Sequence, residues 1–352
     1  MKKPNLPYVS VVITVFNTAH VVGRAIESVM AQDYPKDRFE IICVDDGSTD
    51  HSVEVVERYP VRFVRHIENM GVAAARDTGL SLCEGDIYVC LDDDCVVPPN
   101  WLRALVAGYD MPDVLGAGSV LEPPHKVYGL VDRFMAAAAA GRHVPISMGA
   151  HRGPLARLLA YLEDQLAPEE QCRTCAPYPV RQLNGASASF PVSVLRAVGG
   201  WDRSLHWMED TDLCERIVKK FPNGHFYAVP DAKIIHDPKM GLVRFIKRPY
   251  RRGLDNLMFY RRNDLVPPIF PSPIIWAGCV LASLTRGPLV TALAVAVLPQ
   301  LLYVWWPLRV RRDGLWSLTF AYLQLGEELS TVAGLIRGAF ILALRRTNAE
   351  QA

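Results

Sequence analysis

Short apolar runs rich in β-branched residues alternate with amphipathic stretches over the first hundred residues. Val9 to Phe16, Glu40 to Val44, Arg62 to His66 and Ile87 to Leu91 read as strands, and Ala19 to Ala31, Ser52 to Arg58 and Val72 to Ser81 as helices. This alternation predicts an α/β domain with a doubly wound, mostly parallel sheet. Ligands of such sheets lie outside the carboxyl ends of the strands, so the polar residues ending each strand are where chemistry is expected. From about Pro123 to Pro179 the pattern turns irregular, with an alanine run at Ala136 to Ala140 and one helix expected at Leu155 to Gln165. Compact α/β patterning returns from Leu183 to Asp237.

Beyond a proline-rich hinge at Val266 to Pro273 the pattern becomes continuously apolar. Ile274 to Leu284 is followed by Pro288 to Leu308, which holds no charged side chain and has the length and polarity of a transmembrane helix. With Thr285 and Arg286 at the far surface the two runs would form a hairpin. Basic residues before it (Arg244, Lys247, Arg248, Arg251, Arg252, Arg261, Arg262) and after it (Arg309, Arg311, Arg312) would then share the cytoplasmic side. Trp305 and Trp306 suit an interfacial belt, and the alternative is a buried helical pair. Leu315 to Leu344 carries Glu327, Glu328 and Arg337 and fits an interfacial helix, a re-entrant one or a second span. The expected division is a catalytic domain over 1–265, with a variable insertion at about 123–180, and a membrane-associated helical region over 266–352.

Composition changes this picture little. Lys and Arg number 38 against 37 Asp and Glu, so no global charge favours nucleic acid. Eight cysteines are too few for a disulfide scaffold, and Cys43, Cys83, Cys90 and Cys95 lie in or beside apolar strands, which fits a reducing compartment. Cys172 and Cys175 form a lone CxxC that reads as ordinary loop thiols. The run after Lys2 and Lys3 is broken by Pro4 and Pro7 and is β-branched, so it reads as a buried strand rather than a signal peptide, and the domain is expected in the cytoplasm.

Three clusters carry candidate chemistry. Asp45-Asp46-Gly47-Ser48-Thr49-Asp50 follows a strand; its carboxylates can bind a base or ribose, or can cap the next helix through Asp50. Asp92-Asp93-Asp94 ends another strand, and three adjacent carboxylates repel one another unless a divalent cation compensates them. In an extended segment Asp92 and Asp94 would face the same side, one toward ribose and one toward the metal. A solvated acidic turn is the alternative. Gly199-Gly200-Trp201-Asp202 precedes Glu209-Asp210-Thr211-Asp212, where a carboxylate opening a helix can act as general base.

Taken in order, the strand ending in Asn17, the Asp45-Asp46-Gly47-Ser48 turn, Asn69-Met70-Gly71 through Arg76 to Gly79, Asp92-Asp93-Asp94 and Glu209-Asp210 resemble a family 2 glycosyltransferase of the GT-A fold over about residues 8–240. The resemblance implies nucleotide-sugar recognition by the Thr14 to Phe16 strand end (Val15, Phe16) and by Asp46, Arg76, Asp92 and Asp93. It implies Asn184 and Gly185 lining the sugar and acceptor pocket, Mg²⁺ or Mn²⁺ held by Asp94 and His236, and Asp210 as catalytic base with Glu209 beside it. Asp77 stands where the family often has Asn, and the Gln-x-x-Arg-Trp motif of processive synthases is absent, which favours transfer of a single sugar.

The expectation is therefore an inverting transferase moving one sugar from a nucleotide-diphosphate sugar, UDP-linked as a family-level guess, to a lipid-linked or glycan hydroxyl at the cytoplasmic membrane face of the cell envelope. Two alternatives are a sugar nucleotidyltransferase, against which Val15 to Val22 lacks a glycine-rich phosphate loop, and a non-catalytic membrane scaffold or sugar-nucleotide sensor.

Overall fold

The computed structural model describes residues 6–122, 129–141, 176–236, 241–263, 267, 270–304 and 315–350. Two compact units emerge: one contains described residues 6–122 and 176–236, the other 129–141 and those from 241 onward. The basic stretch at 244–262, expected within the catalytic domain, thus belongs to the second unit together with part of the 123–180 insertion. The Leu155 to Gln165 helix and the Cys172/Cys175 pair lie outside the described residues.

In the first unit, β1 (Val9–Val15) buries Val9, Val11, Val12, Ile13 and Val15 and lies parallel to β2 (Phe39–Asp45) on one side and β4 (Ile87–Asp92) on the other. β3 (Arg62–Arg65) extends this parallel half. Helices α1 (Val22–Met30), α2 (Ser52–Val56) and α3 (Val72–Leu82) follow the strands as the hydrophobic pattern predicts. The register aligns Val15 with Asp45 and Thr14 with Asp92, so the polar strand ends emerge along one edge.

The other half of the sheet corrects the expectation of a mostly parallel arrangement. β8 (Ser187–Pro191) lies antiparallel to β4 and to β6 (Val114–Glu122). β6 is parallel to β9 (His225–His236), which pairs antiparallel with β5 (Cys95–Val96) and β7 (Tyr178–Val180). The order along the sheet is β3-β2-β1-β4-β8-β6-β9-β5. Strands arriving without an intervening crossover helix can reverse direction, and the alternating pattern of the first hundred residues carries no information about them. α4 (Trp101–Ala107), α6 (Val192–Val198) and α7 (Glu209–Lys220) complete the unit.

The second unit is helical: α5 (Leu130–Gly141), α8 (Leu242–Arg262), α9 (Pro271–Ser283), α10 (Pro288–Leu302) and α11 (Ser317–Glu350). Phe134 packs edge-on against Phe245 at 5.5 Å and Phe320 at 5.7 Å, in a core that also buries Tyr303. Glu328, one of the acids that left the last apolar run ambiguous, is buried and accepts hydrogen bonds from Tyr303 (2.8 Å) and Gln324 (3.0 Å).

Among the described residues no helix is long and apolar enough to cross a membrane. The expected span from Pro288 to Leu308 is replaced by a helix ending at Leu302, where Tyr303 leaves the helical path.

α8 and α11 cross through glycines. A Cβ on Gly253 would lie 1.9 Å from the Gly334 carbonyl oxygen, and one on Gly338 would lie 2.8 Å from the Gly253 carbonyl oxygen. Backbone meets backbone there and no side chain can give way. Gly253→Ala is therefore expected to destabilise this unit by about 2 kcal/mol or more, read as a lowered melting midpoint by calorimetry; an unchanged midpoint would refute the close crossing.

Candidate active site

The site grows from strand ends that the register brings level. β1 runs out into Phe16 and Asn17, and Asn17 adopts a left-handed conformation with φ of 55°. Asn can do so because its side chain bonds locally. Here Asn17 Oδ1 accepts from the Thr49 N–H (2.8 Å) and the Asp50 N–H (3.2 Å), tying the first turn to the one after β2. Asp46, at the end of β2, is buried. Its carboxylate accepts from the Met70 and Gly71 N–H groups at 2.9 and 2.8 Å and sits 2.7 Å from His66 Nδ1. It thus holds the Asn69-Met70-Gly71 loop. Asp45 Oδ2 accepts from the Ser48 N–H at 3.0 Å. Asp50 accepts from the Ser52 N–H at 2.9 Å, the helix-capping alternative in geometric form.

After β4 the chain turns instead of staying extended, so Asp92, Asp93 and Asp94 diverge instead of alternating. Asp92 Oδ1 faces Arg76 Nη2 at 3.1 Å. Asp93 Oδ2 accepts from the Phe16 N–H (3.1 Å) and Thr18 Oγ1 (2.5 Å), fixing the strand end. Asp94 Oδ1 lies 3.0 Å from His236 Nε2. The last contact follows from sheet pairing: β5 sets Cys95 opposite His236, the final residue of β9.

Burial pushes the Asp93 carboxyl up to about 7 against the pull of the Thr18 hydrogen bond, with Asp94 and Asp92 adding repulsion. Burial also raises Asp92, opposed by the Arg76 guanidinium.

Arg76 organises the centre. Its guanidinium is buried, donating to Glu209 Oε1 at 2.7 Å, Asp92 Oδ1 at 3.1 Å and the Gly185 carbonyl at 3.0 Å. Arg76 Nε is buried with no hydrogen-bond partner among the described residues. A Cβ on Gly185 would lie 2.8 Å from both terminal guanidinium nitrogens, so a larger residue there would push Arg76 from its present position. Burial raises the Glu209 carboxyl, Asp210 raises it further, and Arg76 pulls it down.

Asp210 is half-buried beside Glu209; its Oδ2 accepts from the Gly185 N–H at 3.1 Å and its Oδ1 from its neighbour Thr211 N–H at 2.7 Å. Met208, immediately before this helix, has φ of 65°, a conformation that costs a non-glycine residue roughly 1 kcal/mol or more.

Nearly every residue singled out from the sequence is therefore in one connected region of the first unit. Arg76, Asp92, Glu209, Gly185 and Asp210 form one network; Asp94 and His236 form a second adjoining it through Asp92. Val15 is buried within the sheet, Phe16 is exposed at its edge, and Asn184 is exposed, its Oδ1 accepting from the Ala186 N–H at 3.0 Å. Arg76 and Asp46, both expected to contact the nucleotide sugar, are buried, with their charged groups hydrogen-bonded to neighbouring residues of the chain. Asp77, the departure from the family pattern, pairs with Arg203 at 2.6 Å.

Sequence reasoning missed Thr18, His66 and Cys95. His66 directly follows β3 and was reachable by the strand-end rule. Thr18 and Cys95 became visible only with the pairing of distant segments.

A divalent cation fits the donors present. Asp94, Cys95 and His236 each offer an atom, all within 4.8 Å of one another. Burial and the neighbouring carboxylates raise the Cys95 thiol well above its ordinary value, while the Asp94 carboxylate and the His236 imidazole are oxygen and nitrogen donors of the kind Mn²⁺ or Mg²⁺ accepts.

Residues 10–132 match the family described as Glycosyl transferase family 2. This segment is similar to that family, and the fold around it is GT-A-like. The chain is 35% identical over 103 residues to "Glycosyltransferase AglE" of Haloferax volcanii, covering 28% of this chain and 34% of that protein. It is 26% identical over 295 residues to "Pre-mycofactocin glycosyltransferase" of Mycobacterium tuberculosis, covering 82% of this chain and 56% of that one. It therefore spans between about a third and just over half of these relatives. The structure resembles that of mannosyltransferase PcManGT from Pyrobaculum calidifontis in complex with GDP-Man and Mn²⁺, at a TM-score of 0.60 and 21% identity, covering 94% of this chain and 91% of that one. At that identity the likeness speaks for a shared fold.

Proposed function

We propose that the protein is an inverting glycosyltransferase that moves one sugar from a nucleoside-diphosphate sugar to an acceptor hydroxyl. The observation that carries this reading is the Arg76 network, which joins the strand-end Asp92 to the Glu209-Asp210 helix start. Asp92, which this reading assigns to the donor side, and Glu209, beside the assigned base, share that one buried cation, which supports the reading.

In this mechanism Asp210 takes the proton of the attacking hydroxyl. The N–H groups of Gly185 and Thr211 fix the plane of its carboxylate, so the base needs no reorientation as the proton moves. The hydroxyl attacks the anomeric carbon from the face opposite the departing nucleoside diphosphate, which inverts the configuration. Phe16, exposed at the strand end, and the turn held by Asp46 receive the nucleoside; Asp92 faces the ribose. Asp94 and His236 would hold Mn²⁺ or Mg²⁺, which neutralises the diphosphate leaving group when bound. Glu209 and Arg76 hold Asp92 and the Gly185 turn in place.

The exposed apolar side chains of α9 and α10 and the basic residues of α8 support an acceptor that is lipid-linked or a glycan presented at the cytoplasmic face of the cell membrane.

A screen of UDP-, GDP- and TDP-sugars for binding and slow hydrolysis, with Mn²⁺ and then with chelator, tests the proposal. Metal-dependent turnover of one donor is expected. Absence of binding to any would favour a scaffold that has kept the fold. Asp94→Asn and His236→Gln are each expected to raise the Mn²⁺ concentration for half-maximal hydrolysis roughly tenfold or more; an unchanged Mn²⁺ titration would remove these residues from the metal site.

A further inference from the structure

α9 and α10 are apolar around most of their circumference, yet exposed. Ile274, Ile275 and Leu281 on α9, and Leu289, Leu293 and Leu301 on α10, present their side chains to solvent. A helix that lies flat on a membrane has a polar face; these have none, and a helix apolar on all sides belongs in a non-aqueous medium. The two form a hairpin: Gly287 turns the chain with φ of 104°, and Ser283 Oγ donates to Thr291 Oγ1 across it at 3.3 Å. With 13 and 15 residues the helices are about 20 and 22 Å long, against about 30 Å of hydrocarbon.

Charge names the occupant and the side. No acidic residue occurs between Pro267 and Arg312. Before the hairpin, α8 exposes Arg244, Lys247, Arg251 and Arg261, and after it the sequence runs through Arg309, Arg311 and Arg312. Basic residues on both flanks place both ends at the same anionic surface, which a single crossing could not satisfy.

We propose that residues 271–302 form a re-entrant hairpin that enters an anionic phospholipid bilayer from one face and returns to it, making the protein monotopic. Tyr303, hydrogen-bonded to buried Glu328, anchors the returning end within the second unit. Arg286 at the tip reaches for headgroups by extending its side chain. This deepens the membrane part of the proposed function and is independent of the donor chemistry.

Cys279, exposed on α9, is a built-in reporter, because the other described cysteines are buried. In the full chain carrying Cys172→Ser and Cys175→Ser, labelling of Cys279 by a membrane-impermeant maleimide is followed with and without phosphatidylglycerol–phosphatidylcholine vesicles. Co-sedimentation with the vesicles and labelling slowed about tenfold or more are expected, and Leu289→Asp with Leu293→Asp should weaken vesicle partition by a similar factor. Unslowed labelling of vesicle-bound protein would mean surface adsorption alone and overturn the proposal, as would failure to co-sediment. Protection without vesicles that grows with protein concentration would show a second copy covering the hairpin instead. Donor hydrolysis is read in detergent alongside: its absence with Cys279 protection intact would sink the transferase reading and leave the hairpin standing.

Discussion

Asp210→Asn is expected to leave donor binding within about twofold while lowering sugar transfer about a thousandfold. The amide keeps the shape of the carboxylate, and its oxygen can still accept from the Gly185 or Thr211 N–H, so the pocket should survive. What disappears is the capacity to take a proton from the acceptor. Donor affinity by calorimetry and transfer rates with saturating donor separate the two effects. Full transfer by the variant would move the base to another residue, and an equal loss of donor binding would make Asp210 a binding group.

Arg76→Met is expected to cost about 3–5 kcal/mol of stability, because it strands buried Glu209 and half-buried Asp92 without their shared cation. Urea denaturation of the first unit, monitored by its tryptophans, measures this. Arg76→Lys should recover only part of the loss: an ammonium keeps the charge but cannot reach Glu209, Asp92 and the Gly185 carbonyl with one planar fork. A loss below about 1 kcal/mol for Arg76→Met would mean the carboxylates are solvated well enough to stand alone.

Much of this site was legible in the chain because the parallel half of the sheet is local. β1 to β4 follow one another with helices between them, and a period-two or helical pattern suffices to place Val15, Asp46 and Asp92 at strand ends. The partners of those residues were legible only as motifs. Nothing in the spacing says that Arg76 points inward to Glu209, 133 positions away, or that β9 ends opposite Cys95. The antiparallel insertion of β8 beside β4 escaped the pattern because strand direction leaves no trace in a short apolar run. The apolar C-terminal stretch was read by composition as a span, whereas helix length is set by where Gly287 and Tyr303 depart from helical geometry.

The sheet of the first unit is discontinuous in the chain: β6 ends at Glu122, and its neighbour β8 begins only at Ser187. During synthesis β1 to β4 can pair as they emerge, but β4 keeps one edge open until β8 is made, and Asp94 waits for His236. A nascent chain halted anywhere in the intervening segment carries an unpaired apolar strand and a guanidinium whose carboxylate partner Glu209 has not been translated. Maturation of the site is therefore a late event in biogenesis. A fragment trimmed to residues 10–132, where the family similarity ends, should aggregate on expression instead of yielding a minimal catalytic core.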